Sequence, residues 1–300
     1  MRVDPNYVSG LVDSLNASTL SEQQLTSELS SGLRVASLSD DPVAAGQASL
    51  LSSAISQDDS FVQTAATTQS LMQVADSALS SVVTQLTSAL SLAVAGNSGT
   101  ESAADLNSLS QQLIGIRDQV VSLANTSYQG TYIFAGSKGN VQPYTTDTST
   151  SPATTTYNGD ALTGSVTTVS GQQIQTGVAG SAVFSAPGAD VMATLNNLIA
   201  DFSGGTVSST ASSDVGLLTA ALGNVSQQQA ILGSSLDRLE SASTYAQTDA
   251  TSRTAAVTSL VSADPATVAT QLSSAETQNQ ALMSVISTVE KQSLFDYVQS

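Results

Sequence analysis

Apolar residues recur at alternating steps of three and four along both ends of this 300-residue chain. That spacing predicts long helices rather than strands. The first run sets Leu11, Leu15, Leu25 and Leu29 on one stripe, with Ser18 and Glu22 in the two positions between. A stripe interrupted by polar residues makes a weak helix on its own. Asp41-Pro42 predicts the next helix start, because Asp caps free amides and Pro is tolerated at the first helical position. From Ile55 through Val62, Ala65, Met72, Leu79, Val83, Leu86 and Leu90 to Ala93 the phase holds, and Gly96-Asn97-Ser98-Gly99 then breaks it. A helix of about 50 residues would be roughly 75 Å long. Leu106, Leu109, Leu113, Ile116, Val120 and Leu123 continue without interruption, so the two stripes predict an antiparallel hairpin.

Beyond Tyr128-Gln129-Gly130 the period shortens towards two, as in Ser165-Val166-Thr167 and Gln173-Ile174-Gln175. This stretch is rich in Gly, Thr and Ser and holds Pro143, Pro152 and Pro187, while Tyr157-Asn158-Gly159-Asp160 predicts a hairpin turn. A small β-rich insertion is expected, with a disordered Thr-rich loop as the alternative. Helical spacing resumes at Val191–Ile199. It continues through Leu218, Leu222, Val225, Gln229, Leu232, Leu236 and Leu239, weakening towards Val257 and Leu260. The last helix should begin at Asp264-Pro265. Its seam is Val268, Leu272, Ala275, Asn279, Leu282, Ile286 and Val289, ending around Leu294, Phe295 and Tyr297. A lone Asn in such a seam fixes register at some cost in stability. The fold class predicted is mainly α: an elongated antiparallel helical bundle or coiled-coil rod built from both termini, with a small β-rich inserted domain. Its divisions fall at 1–41, 42–136, 137–188, 189–260 and 261–300.

Composition narrows the chemistry. The chain has no Cys and no His, which removes thiol nucleophiles, Ser-His-Asp triads, disulfides and imidazole or thiolate zinc sites. Its net charge of −17 disfavours both a phosphate backbone and an anionic lipid surface, so neither nucleic acid nor membrane is expected as a partner. The apolar stretches are interrupted by Ser, Thr and Gln, and no membrane span is expected. The first eighteen residues, with Asp4 and Asp13 and no continuous apolar core, do not resemble a cleavable secretory signal. Asp40-Asp41 and Asp58-Asp59 are adjacent acidic pairs, but capping accounts for Asp41, and neighbours in a helix do not face each other. Tyr132, Tyr144 and Tyr157 read as packing of the insert. No catalytic residue, cofactor or metal ligand is expected. The informative feature is the pair of apolar terminal stripes, which should pack on each other and on neighbouring copies; a purely intramolecular bundle is the alternative.

Several short runs, taken in order, resemble the flagellin superfamily. Ser30-Ser31-Gly32-Leu33-Arg34-Val35 followed by Ser39-Asp40-Asp41-Pro42-Val43-Ala44-Ala45 is similar to the N-terminal signature of flagellins and of hook-associated proteins of the FlgL type. Ser31, Gly32, Asp40, Asp41 and Pro42 carry it. Gly130–Gly136 (GTYIFAG), Leu232–Glu240 (LGSSLDRLE) and the ending Ser293–Val298 (SLFDYV) resemble the hook-associated branch, and Tyr157–Asp160 and Gly180–Phe184 fit its insert. The resemblance implies a structural, non-enzymatic junction protein between hook and filament, with the flagellin filament subunit as the alternative. A secreted adhesin or an enzyme borne by the insert is a more distant reading. It also implies export through the flagellar type III apparatus to the cell exterior, with an export chaperone. The implied assembly is a closed homo-oligomeric ring of about eleven copies between the first hook-associated protein and flagellin. In that picture 1–41 and 261–300 form an inner tube, 42–136 and 189–260 surround it, and 137–188 faces outwards.

Overall fold

The computed structural model describes the backbone of residues 5–150 and 153–298, and the side chains of 9–150 and 153–289. Seven helices carry most of it: α1 (Pro5–Ser31), α2 (Pro42–Gly96), α3 (Ala103–Ala124), α4 (Gly180–Phe184), α5 (Val191–Ser203), α6 (Ala211–Val261) and α7 (Pro265–Val298). Each Asp-Pro pair marks a helix start, with Pro5, Pro42 and Pro265 as first residues. The chain divides into two compact units, one of residues 1–56 with 249–300 and one of 57–248.

In the larger unit a single hydrophobic core draws on α2, α3, α5, α6 and the strand region. The α2 stripe that enters it runs Phe61, Ala65, Met72, Ala75, Leu79, Val82, Leu86, Ala89 and Ala93, and from Ala65 on these side chains are fully buried. It differs by one residue from the predicted stripe, since Val62, Val83 and Leu90 only flank it. Ala65, Ala75, Ala89 and Ala93 take four of these nine stripe positions, where the small side chain lets neighbouring backbones approach. Gly96 closes α2 against the Phe202 ring, where a Cβ would lie 2.8 Å from Cζ. The α3 start is a capping box between Ser102 and Asp105. Arg117 of α3 is buried, its guanidinium donating to Asp118 Oδ1 at 2.8 and 3.0 Å and reaching Asn196 of α5 at 3.4 Å.

An 18-residue window of α2 reaches a mean hydropathy of 1.5, so by length and composition α2 is apolar enough to cross a bilayer, which corrects the expectation from sequence. A third of that window (33 %) is buried inside the protein. The hydroxyls that seemed to interrupt it are internally satisfied. Ser81, Thr84, Thr87 and Ser88 each donate to the carbonyl four residues back, at 2.7–3.1 Å.

The strand region is four separate antiparallel pairs: β1 (Ser127–Tyr128) with β2 (Thr131–Tyr132), β3 (Tyr144–Asp147) with β4 (Thr154–Tyr157), β5 (Ser165–Thr167) with β6 (Gln173–Gln175), and β7 (Ser185–Ala186) with β8 (Ala189–Asp190). Gln129 (φ 51°) and Gly130 (φ 81°) make the left-handed two-residue turn of the first pair. Tyr157-Asn158-Gly159-Asp160 is not a hairpin loop, contrary to expectation. It leaves β4 and docks on the 134–137 segment: Asp160 N donates to Ala135 O at 3.1 Å, and the Asp160 carboxylate accepts from Ser137 N at 2.8 Å. Phe134, Tyr144, Tyr157 and Phe184 cluster there, with ring centroids 5.0–5.6 Å apart: Phe184 meets Phe134 and Tyr144 edge-on, and Tyr144 and Tyr157 are tilted. Gly180 fits beneath them, its N–H donating to Phe134 O at 2.9 Å, where a Cβ would come within 2.7 Å of that oxygen. Phe184→Ala should therefore cost the larger unit about 3–5 kcal/mol, read as a lower denaturation midpoint; an unchanged midpoint would mean that the cluster does not anchor the insert.

Candidate assembly surface

In the smaller unit α1 and α7 pack along each other in antiparallel sense. Among the described residues, the inward positions of α1 are Leu11, Leu15, Ser18, Glu22, Leu25 and Glu28, and all six are only half-buried. Leu29 faces outward at 41 % exposure, because a straight helix drifts relative to a strict seven-residue repeat and Glu28 takes the inner place. On α7 the seam follows the sequence at every predicted position from Val268 to Val289. Val268 and Ala275 are buried, while Leu272, Asn279, Leu282, Ile286 and Val289 are half-buried. Leu294, Phe295 and Tyr297 lie outside the described side chains. The contrast with the larger unit is sharp, since Met72, Leu79 and Leu86 of α2 have no exposed surface.

Asn279 has a specific partner. Its amide donates to Glu22 Oε2 at 2.6 Å, joining two polar seam positions across the pair. Asn279 Oδ1 and Ser18 Oγ are buried without a hydrogen-bond partner. Polar positions of this kind fix register and weaken the pair together. Small residues also leave an open groove of about 310 Å³ between the helices, lined by Leu25, Ser274 and Ala275 among others.

The sequence signature folds into the junction that joins these helices to α2 and α6. Gly32 ends α1 with φ +70°, its N–H returning to Glu28 O at 2.8 Å, a conformation that a Cβ would strain. Ser31 Oγ accepts from Leu33 N at 3.2 Å. Arg34 then satisfies the last carbonyls of α6: its backbone N–H donates to Val261 O at 2.8 Å, and Nη2 donates to Leu260 O at 2.9 Å. Asp40 accepts from Ala36 N and Ser37 N at 3.0 and 2.7 Å, and Asp41 caps α2 through Val43 N and Ala44 N at 3.1 and 3.0 Å. Asp264 caps α7 in the same manner through Ala266 N and Thr267 Oγ1, at 3.1 and 2.8 Å. Arg34 also reaches Asp41 Oδ2 at 3.4 Å, but its role at the end of α6 is not legible in sequence, because Leu260 and Val261 lie more than two hundred positions away.

These bonds favour the ionised carboxyls. Ser37 amide and hydroxyl bonds hold Asp40 below the usual carboxylate value, the Ala44 amide does so for Asp41, and the Thr267 hydroxyl for Asp264. Asp41 is thus a helix cap and Asp40 closes the turn over residues 36–40, so the two carboxyls are engaged separately. Asp58 is buried in α2 while Asp59 is exposed, so those carboxyls do not share a site either. Among the described residues no three acidic side chains gather as a metal site.

Two outcomes are expected. The three folded values lie below the ordinary 3.8, so the stabilisation is present above about pH 4 and is lost as pH falls through them. Amide protection at Ser37, Ala44 and Ala266 should therefore hold at pH 5 and collapse below about pH 4. Asp40→Ala, which has no side-chain acceptor, should remove the Ser37 component already at pH 5. Separately, the double variant Glu22→Leu, Asn279→Leu should melt at higher temperature and populate more than one oligomeric state in sedimentation. A single well-defined state would show that this pair does not set register.

Residues 9–139 match the bacterial flagellin N-terminal helical region, and residues 215–298 match the bacterial flagellin C-terminal helical region. Flagellar hook-associated protein 3 of Salmonella typhimurium is 39 % identical over 122 residues, which are 40 % of this chain and 38 % of that protein. The chain therefore spans well under half the length of this curated relative in the matched stretch. Among solved structures, flagellar hook-associated protein-3 of Legionella pneumophila superposes with a TM-score of 0.64 at 14 % identity, over 71 % of this chain and 98 % of that one. The flagellar junction protein FlgL of Legionella pneumophila gives 0.60 at 16 %, over 72 % and 100 %. At those identities the likeness is one of fold.

Proposed function

We propose that this chain, which belongs to the bacterial flagellin superfamily and within it to the FlgL type, is a non-enzymatic structural component of the flagellum at the junction of hook and filament. Its work is geometric: it presents α1 and α7 to neighbouring subunits, so that one helical lattice continues into another and the filament is anchored. The observation that carries this reading is the incomplete seam. The pair α1–α7 leaves Leu11, Leu15, Leu272, Leu282 and Ile286 only half-buried within one chain. At about 25 cal/mol per Å², covering the remainder with neighbouring copies supplies a driving force that the monomer lacks. Leu29, exposed in the single chain, is then available to the same contacts.

The finer assignments follow from that role. The terminal helices (1–41 and 261–300) would line an inner tube in a closed ring of about eleven copies, between the first hook-associated protein and flagellin. Leu294, Phe295 and Tyr297 would extend its apolar face. The helices of 42–136 and 189–260 would surround it, with 137–188 outermost. The chain would travel unfolded through the flagellar type III apparatus, bound beforehand by an export chaperone that covers the terminal stripes. A stripe broken by Ser18, Glu22 and Asn279 suits such passage, because it orders fully only when neighbours bury it.

Placing a charge in the seam tests the reading. Leu282→Asp or Ile286→Asp should abolish filament attachment while the protein is still exported, leaving intact hooks and flagellin in the medium. Normal motility in either variant would contradict the proposal. Removal of 1–40 and 261–300 should likewise leave a folded chain that does not assemble, and assembly by the truncated chain would place the interface elsewhere.

A further inference from the structure

Two buried carboxyls sit where α5 turns into α6, in the larger unit. Asp201 is 8 % exposed and Asp214 is 6 % exposed, and they lie within hydrogen-bonding reach of one another. One Asp201 oxygen, Oδ1, accepts from Thr210 Oγ1 at 2.8 Å. The other, Oδ2, is shielded from solvent and has no hydrogen-bond donor. Ser208 N and Asp201 O meet at 3.3 Å, and Asp214 N donates to Thr210 O at 3.0 Å, so the connecting loop wraps around the pair.

Among the described residues, no cation on the elements around the pair neutralises it. Neither α5 nor the loop carries Lys or Arg, nor does α2. The single basic residue of α3, Arg117, is engaged by Asp118 and Asn196. Asp105 of α3 is held by Ser102 in its capping box. The first basic residue of α6, Arg238, lies 24 positions beyond Asp214, about 36 Å along the helix. Two buried carboxylates facing each other without a cation cannot both ionise at ordinary cost. A proton on one of them gives Asp201 Oδ2 the donor it lacks.

We propose that Asp201 and Asp214 hold one proton between them in the folded chain and act as an acid-favoured latch on the α5–α6 connection. Burial first, then the Asp201 carboxyl, pushes Asp214 above the ordinary carboxylate value, with the Asn197 side chain opposing. The proton belongs to the pair rather than to either residue. Its linkage runs opposite to that of the junction caps. The folded chain binds a proton that the unfolded chain releases near pH 4, so the contribution is present at low pH and is lost as pH rises through the raised value.

The composition makes this measurable. With no His and no Cys, no other side chain of ordinary pKa titrates between about pH 5 and 8. The denaturation midpoint of the full wild-type chain should fall as pH rises above the ordinary carboxylate range. Asp214→Asn and Asp201→Asn, which supply a permanent donor, should abolish the fall. Equal slopes in wild type and both variants would overturn the latch. Should a variant not fold, infrared spectra of the wild-type chain with carbon-13-labelled aspartate decide. A protonated-carboxyl band that persists above the ordinary carboxylate range supports the shared proton, and its absence there refutes it. A midpoint that rises with added calcium at fixed ionic strength and pH 8 in the wild type but not in Asp201→Asn, without that band, would assign a cation to the pair and also overturn the proposal.

Discussion

Burial of a narrow apolar stripe is the constraint on which this molecule depends, and its two units meet that constraint to different degrees. In the larger unit four long or medium helices and an aromatic cluster enclose the stripe, and Met72, Leu79, Leu86, Leu113 and Leu195 lose all contact with solvent. In the smaller unit, among the described residues, α1 and α7 form the main helix pair. Such a pair covers one side of each stripe and leaves the flanks half-open. The polar contact of Glu22 with Asn279 sets the alignment while weakening the association. The junction at Gly32–Asp41 and Leu260–Asp264 then fixes where the pair begins, through backbone bonds that do not depend on the seam itself.

The low charge and high hydroxyl content have a common explanation in this design. Ser and Thr together make up about 29 % of the chain, well above ordinary usage. On long helices their hydroxyls return to the preceding turn, as with Thr64, Thr68, Ser77 and Ser81 of α2. The hydroxyl-bearing positions are thereby uncharged and internally satisfied, although the chain as a whole carries a net charge of −17. A surface of that kind tolerates close packing of many identical subunits, in keeping with the structural role proposed.

The sequence made the helical parts readable where local chemistry and period coincided. All three Asp-Pro pairs start helices, and the α7 seam appears position by position, because caps and heptads act over a few residues. The α2 stripe lies one residue from the sequence expectation at Phe61, Val82 and Ala89: adjacent apolar pairs (Phe61-Val62, Val82-Val83, Ala89-Leu90) fit either phase locally, and only the packing selects one. Asn158-Gly159 was read as a hairpin because its turn chemistry is genuine; what decided its use was Asp160 reaching back to Ser137. The strand pairs β1–β2 and β7–β8, and the five-residue α4, are too short for any period to show. Arg34, Arg117 and the Asp201–Asp214 pair acquire their roles only through contacts that the fold creates.

Amide hydrogen exchange on the full chain, free at micromolar concentration and then assembled, tests the central claim most directly. The account predicts that α1 and α7 exchange far faster in the free chain than the buried turns of α2 and α6, and that assembly slows them to a comparable rate. Terminal helices already as protected in the free chain as that core, and unchanged by assembly, would contradict it.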